Sequence, residues 1–273
     1  MINADFHMHT SFSSDCESAP REMIEAAIQK GLKTICITDH NDKDFPHPEL
    51  FDEEEPFVFD ADEYFETLLK LQEEYKNKID VRIGVEIGMQ EHLVSYYRDF
   101  VAAKPYDFVI ASMHIIHGMD PYYPEYFEGK SDEEGYRETF LETIRMLKLY
   151  DDFDVLGHID YIVRYGKTRE QAYSYKKYAD YIDEILKTVI QKGKGIELNT
   201  AGLKYGLGFA HPHPDILRRY RELGGEILTV GADGHKPEHV AYEFEKVSSL
   251  LKACGFKYYT EFLERKPIFQ QLP

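Results

Sequence analysis

Short runs of Ile, Val and Leu recur along the chain at residues 2–7, 34–38, 81–87, 108–112, 155–156, 195–198 and 227–230. Nearly all of them stop at a His, Asp, Glu or Asn. As a set the runs read as continuously apolar rather than alternating, the pattern of strands buried on both faces. Between the runs lie stretches with helical spacing, at 20–30, 62–76, 91–102, 132–149, 170–192, 214–223 and 238–253. In the second of these, Tyr64, Leu68, Leu71 and Tyr75 share one face. The first carries its own boundaries: Ser18 as N-cap, Pro20 in the first turn and Gly31 at the end. Strands alternating with helices of this length predict parallel βαβ units.

A parallel sheet can be open or closed. An open, doubly wound sheet gathers its site at one crevice. Here candidate functional side chains stand at the end of every strand, which predicts an α/β closed ring: a distorted (β/α)7 barrel, TIM-barrel-like, with its site at the C-terminal mouth. An irregular closure is expected where an eighth strand would stand. The two long connections, 41–60 and 115–131, should rise over the mouth as partly ordered lids, given Pro46-His47-Pro48 and Tyr122-Tyr123-Pro124. No internal repeat or linker interrupts the 273 residues, an ordinary length for an undivided α/β barrel.

The strand ends carry metal-ligand chemistry. His7-Met8-His9 places two imidazoles on one side of an extended segment. Asp15 follows in a Ser-rich turn, and Thr38-Asp39-His40 caps the second run. Glu86 stands inside the apolar third run, where an unpaired carboxylate would be costly. His114, His158, Asp233 and His235 repeat the pattern. Each alone has a plain reading, such as turn chemistry for Asp15 or a local ion pair for His40 with Asp39. Their recurrence does not. Six His and three carboxylates exceed the needs of one divalent ion and suit two or three, and a set without thiolates points to Zn, Mn or Fe ions. Adjacent divalent ions supply an acidified water and neutralise the oxygens of an in-line displacement, the combination that phosphate monoester hydrolysis requires.

Charge narrows the substrate. Lys+Arg 32 against Asp+Glu 50 gives a net −18, which argues against a nonspecific grip on nucleic acid. A small phosphorylated substrate remains compatible, since bound cations invert the local field. Cys16, Cys36 and Cys254 lack CxxC spacing; Cys36 reads as core, and Cys16, between Asp15 and Glu17, as an exposed thiol in preference to one approaching a metal, with no disulfide framework. No apolar stretch reaches membrane-spanning length and the start lacks a basic, apolar leader pattern, so a cytoplasmic protein without a membrane partner is expected. The oligomeric state stays open.

Around the mouth, Arg164 follows the fifth run, and its fork suits two phosphate oxygens. It also reads as a surface residue of a basic turn with Lys167 and Arg169. His117, close after His114, is placed to bind the phosphate or donate to its leaving oxygen, and Lys204 is a second candidate cation. His92 either binds substrate or caps a helix. Asp160 is a candidate acceptor orienting an imidazole. His211 and His213, in a Pro-rich loop, touch substrate or merely shape the loop, and no chemical part is expected of His47 or His239. Tyr122, Tyr123, Tyr126 and Phe127 either wall the pocket or pack beneath a long loop.

The ordered motifs Asp5-Phe6-His7-Met8-His9-Thr10, Thr38-Asp39-His40, Gly84-Val85-Glu86-Ile87-Gly88, Ser112-Met113-His114, Gly157-His158-Ile159-Asp160, Glu197-Leu198-Asn199-Thr200 and Gly231-Ala232-Asp233-Gly234-His235 resemble the PHP (polymerase and histidinol phosphatase) superfamily. The likeness is closest to its monofunctional histidinol-phosphate phosphatases and covers essentially the whole chain, implying a single PHP-type barrel domain over 1–273. It implies up to three metals at the mouth. His7, His9, Glu86 and Asp233 would hold one, and Asp15, His40 and His235 a second. Glu86, as a bridge, would hold the third with His114 and His158. Members often carry His where this chain has Asp15, a harder ligand. The resemblance further implies a phosphate contact from Arg164. His117 and Asp233 are the catalytic candidates. The reaction implied is hydrolysis of L-histidinol phosphate to L-histidinol and phosphate, in histidine biosynthesis. The alternative is a PHP-type phosphoesterase acting on nucleotides or nucleic-acid ends, which the acidic chain disfavours.

Overall fold

Seven parallel strand positions frame the computed structural model, which describes residues 1–273. They are β1 (Ala4–Asp5), β2 (Thr34–Ile37) with its continuation β3 (His40–Asn41), β4 (Asp80–Gly88), β5 (Phe108–Ser112), β6 (Val155–Leu156), β7 (Gly195–Asn199) and β8 (Leu228–Gly231). Spatial order follows chain order, β1-β2-β4-β5-β6-β7-β8, with β3 also on β4. All pairs are parallel. The ring then closes on itself: the Phe6 amide donates to the Val230 carbonyl at 2.9 Å, and the Asp233 amide to that of His7 at 2.8 Å. Every residue of β2, β5, β7 and β8 is buried, as continuous apolar runs require. The distorted (β/α)7 reading holds.

Helices α1 (Pro20–Gln29), α2 (Ala61–Tyr75), α3 (Val94–Ala102), α4 (Asp132–Leu149), α5 (Ala179–Gln191), α6 (Ala201–Lys204), α7 (Pro214–Glu222) and α8 (Phe244–Ala253) fill the crossovers. Local chemistry sets their starts. The Asp60 side chain caps α2 by accepting from the amides of Asp62 and Glu63, and Ser131 with Glu134 forms a capping box on α4. The face of α2 that turns inward includes Tyr64, Leu68, Leu71 and Tyr75, as the spacing predicts. No helix is long and apolar enough to cross a membrane.

Two segments depart from the sequence pattern. The 170–192 stretch is one helix only from Ala179 onward; before it come 3-10 turns at Arg169–Ala172 and Tyr175–Tyr178. The cause is Tyr173, buried with its hydroxyl donating to Asp160 at 2.9 Å, after which Ser174 caps the next turn. A tertiary hydrogen bond overrides helical spacing there. The second departure is an antiparallel hairpin, β9 (Tyr258–Leu263) and β10 (Lys266–Gln271), which no sequence expectation covered. It crosses the N-terminal ends of β5 and β6. The Glu264 and Arg265 amides bond to Asp107 at 3.1 and 2.9 Å, and the Arg265 guanidinium pairs with Asp154. Phe6 packs edge-to-face on Phe108 at 5.5 Å, and Phe262 lies tilted against Phe108 at 5.0 Å. That end of the ring is sealed, leaving the C-terminal mouth.

One ion pair ties α5 to α7. Arg219 forks onto Asp183 at 2.9 and 2.7 Å, and the Tyr175 hydroxyl donates to the same carboxylate at 2.7 Å. The Arg219 hydrogen bonds, helped by Tyr175 and Lys187, hold the Asp183 carboxyl below the usual range. A depressed carboxylate stabilises the fold above its unfolded pKa, roughly 3.9, and that contribution is lost as pH falls through the folded value. Asp183→Asn should therefore cost about 1 kcal/mol at pH 7, after allowance for screening. Urea unfolding should show the gap between variant and parent narrowing as pH falls below about 4, where the unfolded carboxylate begins to protonate; a gap independent of pH would refute this account.

Candidate metal centre

Because the seven strands of the ring are parallel, their C-terminal ends all face one way, and the side chains just beyond them converge. The β3–β4 register sets His40 level with Glu86. His114 and His158 each follow the last residue of their strand by two positions, and Asp233 and His235 leave β8 beside His7 and His9. Close backbone approach makes this possible. A Cβ on Gly231 would sit 2.3 Å from the His7 Cβ and 2.6 Å from Glu197 Oε1. One on Gly157 would sit 2.4 Å from the Ser112 hydroxyl, which bonds Glu86. Larger residues at either position would push the mouth apart.

Glu86 is the hub. Its Oε2 faces His7 Nε2 at 3.0 Å, His40 Nδ1 at 3.2 Å and His9 Nε2 at 3.5 Å. Its Oε1 faces His158 Nε2 at 3.0 Å and His114 Nε2 at 3.3 Å, and accepts from Ser112 at 2.6 Å. Asp233 Oδ1 lies 3.4 Å from His9 Nε2, and Asp15 Oδ2 lies 3.1 Å from His235 Nε2. Two atoms each about 2.1 Å from one tetrahedral ion stand roughly 3.4 Å apart, so these spacings are those of co-ligands. Buried nitrogens agree: His9 Nε2 and His40 Nδ1 have no hydrogen-bond partner, although carboxylate oxygens lie close by. The Nε2 atoms of His114 and His158 face one another at 3.4 Å, a contact that a shared cation explains. The clusters can hold two or three divalent ions.

The far side of several rings is fixed as well. His7 Nδ1 meets Glu197 Oε1 at 2.6 Å, His114 Nδ1 meets Asp42 Oδ2 at 2.6 Å, and His9 Nδ1 meets the Ser13 hydroxyl at 3.2 Å. Ser13 in turn donates to Asp39 at 2.6 Å. Such partners leave Nε2 free to face the centre and make it more basic. Charge follows the same logic. Burial disfavours a charged His7, yet Glu197, Glu86 and Asp233 outweigh it and hold the imidazole well above its usual value. Burial also opposes ionisation of Glu86, but His7, His114 and His40 hold it far below the carboxylate range. His9 is pushed well down by burial and by His235 and His40 beside it.

Above this floor opens a basin of about 730 Å³. Arg164 lines it, its guanidinium 3.5 Å from the Tyr205 ring centre and about 5 Å from Tyr161 and Tyr165. It has no carboxylate partner. Tyr122 and Tyr123 line the basin too, whereas Tyr126 and Phe127 are buried in the core. Lys204 stands just behind, its ammonium donating to the Asp233 carbonyl at 2.9 Å, with burial lowering its pKa.

Several sequence expectations need correction. His117 does not reach the basin: Ile115 and Ile116 bury their side chains, and the turn that follows, with positive φ at His117 and Gly118, throws the imidazole outward beside Glu142. His92 also misses the basin, because Leu93 takes the inward position of its turn and leaves His92 bonded to Asp44 at 2.9 Å. Cys16 is buried, its thiol 3.2 Å from the His235 carbonyl. His239, expected to be idle, lines the basin, as does Lys236. Asp160 does orient an imidazole, that of His211, at 2.6 Å, but His211 and His213 do not line the basin. Glu197 and Asp42 went unassigned, and Asp39, read only as a partner of His40, instead accepts from Thr10 and Ser13. Glu197 had the same signal as Glu86, an acid inside an apolar run; Asp42 had none, since it opens a polar loop.

The family model described as PHP domain matches residues 5–201. The histidinol-phosphatase of Lactococcus lactis is 32% identical, with 94% of this chain and 93% of that protein covered. A Clostridium acetobutylicum protein named probable histidinol-phosphatase is 33% identical over 93% and 94%. The crystal structure of the Lactococcus lactis histidinol phosphate phosphatase complexed with zinc, L-histidinol and phosphate superposes with a TM-score of 0.88, covering 97% of this chain and 98% of that one.

Proposed function

The chain belongs to the PHP-domain histidinol phosphatases, and from that premise we propose that it hydrolyses L-histidinol phosphate to L-histidinol and phosphate. The observation that carries this reading is Glu86, whose two oxygens face separate sets of imidazoles on the floor of a basin that Arg164 also lines. The ligands bound to the Lactococcus lactis relative support it. So does the continuous buried core from Ile2 to Leu272, which suits one PHP-type unit over 1–273.

His7, His9, Glu86 and Asp233 would hold one ion, Asp15, His40 and His235 a second, and Glu86 with His114 and His158 a third. Ions held there would supply an acidified water and positive charge against the phosphate dianion. The protein supplies the rest. Arg164, held flat against Tyr205, offers its N–H fork to two phosphate oxygens. Asp233 takes the proton given up by the attacking water and returns it to the departing alkoxide, ending as it began. Asn199 Nδ2 steadies Asp233 Oδ2 at 3.4 Å, and Lys204 holds its carbonyl. His117 and His92 take no part in this scheme. The acidic surface favours a small phosphomonoester over a polynucleotide. Three free, buried cysteines fit a reducing, cytoplasmic compartment.

The test compares kcat/KM for histidinol phosphate, a nucleoside monophosphate, an aryl phosphate and a 3′-ended oligonucleotide at one metal and salt concentration. Histidinol phosphate should lead by about 100-fold, within reach of a site that pairs a substrate's polar groups. Faster turnover of the oligonucleotide would overturn the assignment. In the same assay Arg164→Ala should raise KM for histidinol phosphate about 10- to 100-fold with metal content unchanged, since its partner is the phosphate. Kinetics identical to the parent would reduce Arg164 to packing against Tyr205.

A further inference from the structure

Arg164 and the Tyr205 ring it stacks on belong to different connections. Arg164 ends the 3-10 turn Tyr161–Arg164 that follows β6, and Tyr205 follows α6, beyond β7. With no carboxylate to pair with, the guanidinium is placed only by what places these two loops. One buried carboxylate joins them. Asp160, the residue before the Arg164 turn, accepts on Oδ1 from His211 Nδ1 at 2.6 Å. On Oδ2 it accepts from the Tyr173 hydroxyl at 2.9 Å and the His213 amide at 2.7 Å. Asp160 and His211 are both shut off from solvent.

His211 sits at the base of the Tyr205 loop. It exchanges backbone hydrogen bonds with Asn199 at 2.6 and 2.8 Å, which closes residues 200–210 into a loop with a fixed neck. Inside that loop α6 lies directly on the imidazole: a Cβ on Gly202 would sit 3.3 Å from His211 Cδ2 and 2.4 Å from the Phe209 carbonyl oxygen. Where the ring lies therefore sets where α6 lies, and Tyr205 with it. His211 Nε2 has no partner, so the bond to Asp160 is the one hydrogen bond that orients the ring. Burying a carboxylate is costly, and a loop held for packing alone needs none. What the carboxylate gives is stiffness, through short bonds to an anion from three separate points of the chain. We propose that Asp160 and His211 are positioning residues for phosphate binding: they lock the Tyr205 loop to the Arg164 turn, so that the guanidinium meets an oxyanion already in place. A preset fork loses less freedom on binding than a loose one. The inference rests on the phosphate contact proposed for Arg164, and not on which ester carries the phosphate.

The experiment uses the metal-loaded full chain, with aryl phosphate as reporter and inorganic phosphate as competing inhibitor. His211→Phe keeps a ring in place but removes the donor to Asp160. It should raise the phosphate Ki about tenfold with metal content at the parental value. KM for aryl phosphate should rise alongside while kcat changes by less than about threefold, the split expected when binding alone is weakened. His211→Asn, whose amide offers an N–H near the Nδ1 position, should recover part of the loss. The decisive comparison is made in Arg164→Ala. There His211→Phe should move the phosphate Ki by less than about twofold, because the residue through which it acts is gone. A general loosening of the fold would act in either background. If His211→Phe does not fold, Tyr173→Phe, which removes one hydroxyl from the same carboxylate, carries the same cycle with a shift of about threefold. An unchanged Ki, a loss of metal in step with the Ki, or an equal shift with and without Arg164 would each overturn the proposal. A parental phosphate Ki in Arg164→Ala would refute the phosphate contact proposed above, and this inference with it. The expected cycle in an enzyme that fails to hydrolyse histidinol phosphate would support the positioning role and refute only the substrate.

Discussion

Glu86→Gln should lower hydrolysis of histidinol phosphate by at least about a thousandfold and deplete metal at two positions, not one. The two oxygens of Glu86 face different imidazole sets, His7, His9 and His40 on one side and His114 and His158 on the other. The amide keeps the shape but removes the shared negative charge, and it turns one ligand atom into an N–H donor that repels a cation. Fold stability should change far less, because volume and packing in β4 are preserved. Elemental analysis of variant and parent, read beside kcat and a thermal melt, separates these effects. Loss of a single metal with near-normal turnover would make Glu86 a terminal ligand instead.

Exhaustive chelation should have an effect of similar size. Activity should fall to below about a thousandth and return on adding back Zn, Mn or Fe, since the residues alone supply neither an acidified water nor enough positive charge for a phosphate dianion. Stability should fall too. Ions bound only by the folded state stabilise it by mass action, about 4 kcal/mol at a thousand times Kd. Reloading should also be easier at higher pH. Without ions His7 and His114 are held protonated by their carboxylates, and a ligating imidazole must give up that proton. Full activity in protein shown by elemental analysis to be free of metal would refute the whole account of the mouth.

Much of this could be read from local pattern. The parallel frame was visible because a strand buried on both faces must be continuously apolar, and a buried run can end only where a polar side chain finds water or a partner. The ligand candidates announced themselves in the same way. Glu86 is conspicuous as an acid inside such a run, and His7 with His9 as a pair on one side of an extended segment. Glu197 was equally conspicuous, but no spacing in the chain says that its carboxylate meets His7, 190 residues away.

The sequence by itself determined which segments become strands, which end of each is chemical, and what kind of atom stands there, since burial, periodicity and donor chemistry are properties of neighbouring residues. Tertiary structure alone decided how those ends meet. It brought Asp42 behind His114, turned His117 and His92 away from the basin, broke the 170–192 helix at Tyr173, and folded β9 and β10 across the far end of the ring. Each outcome depends on a partner distant in the chain or on a backbone turn whose direction is set by what packs beneath it. A side chain's neighbours across a barrel are fixed by ring closure and register, and neither is written in any local run of residues.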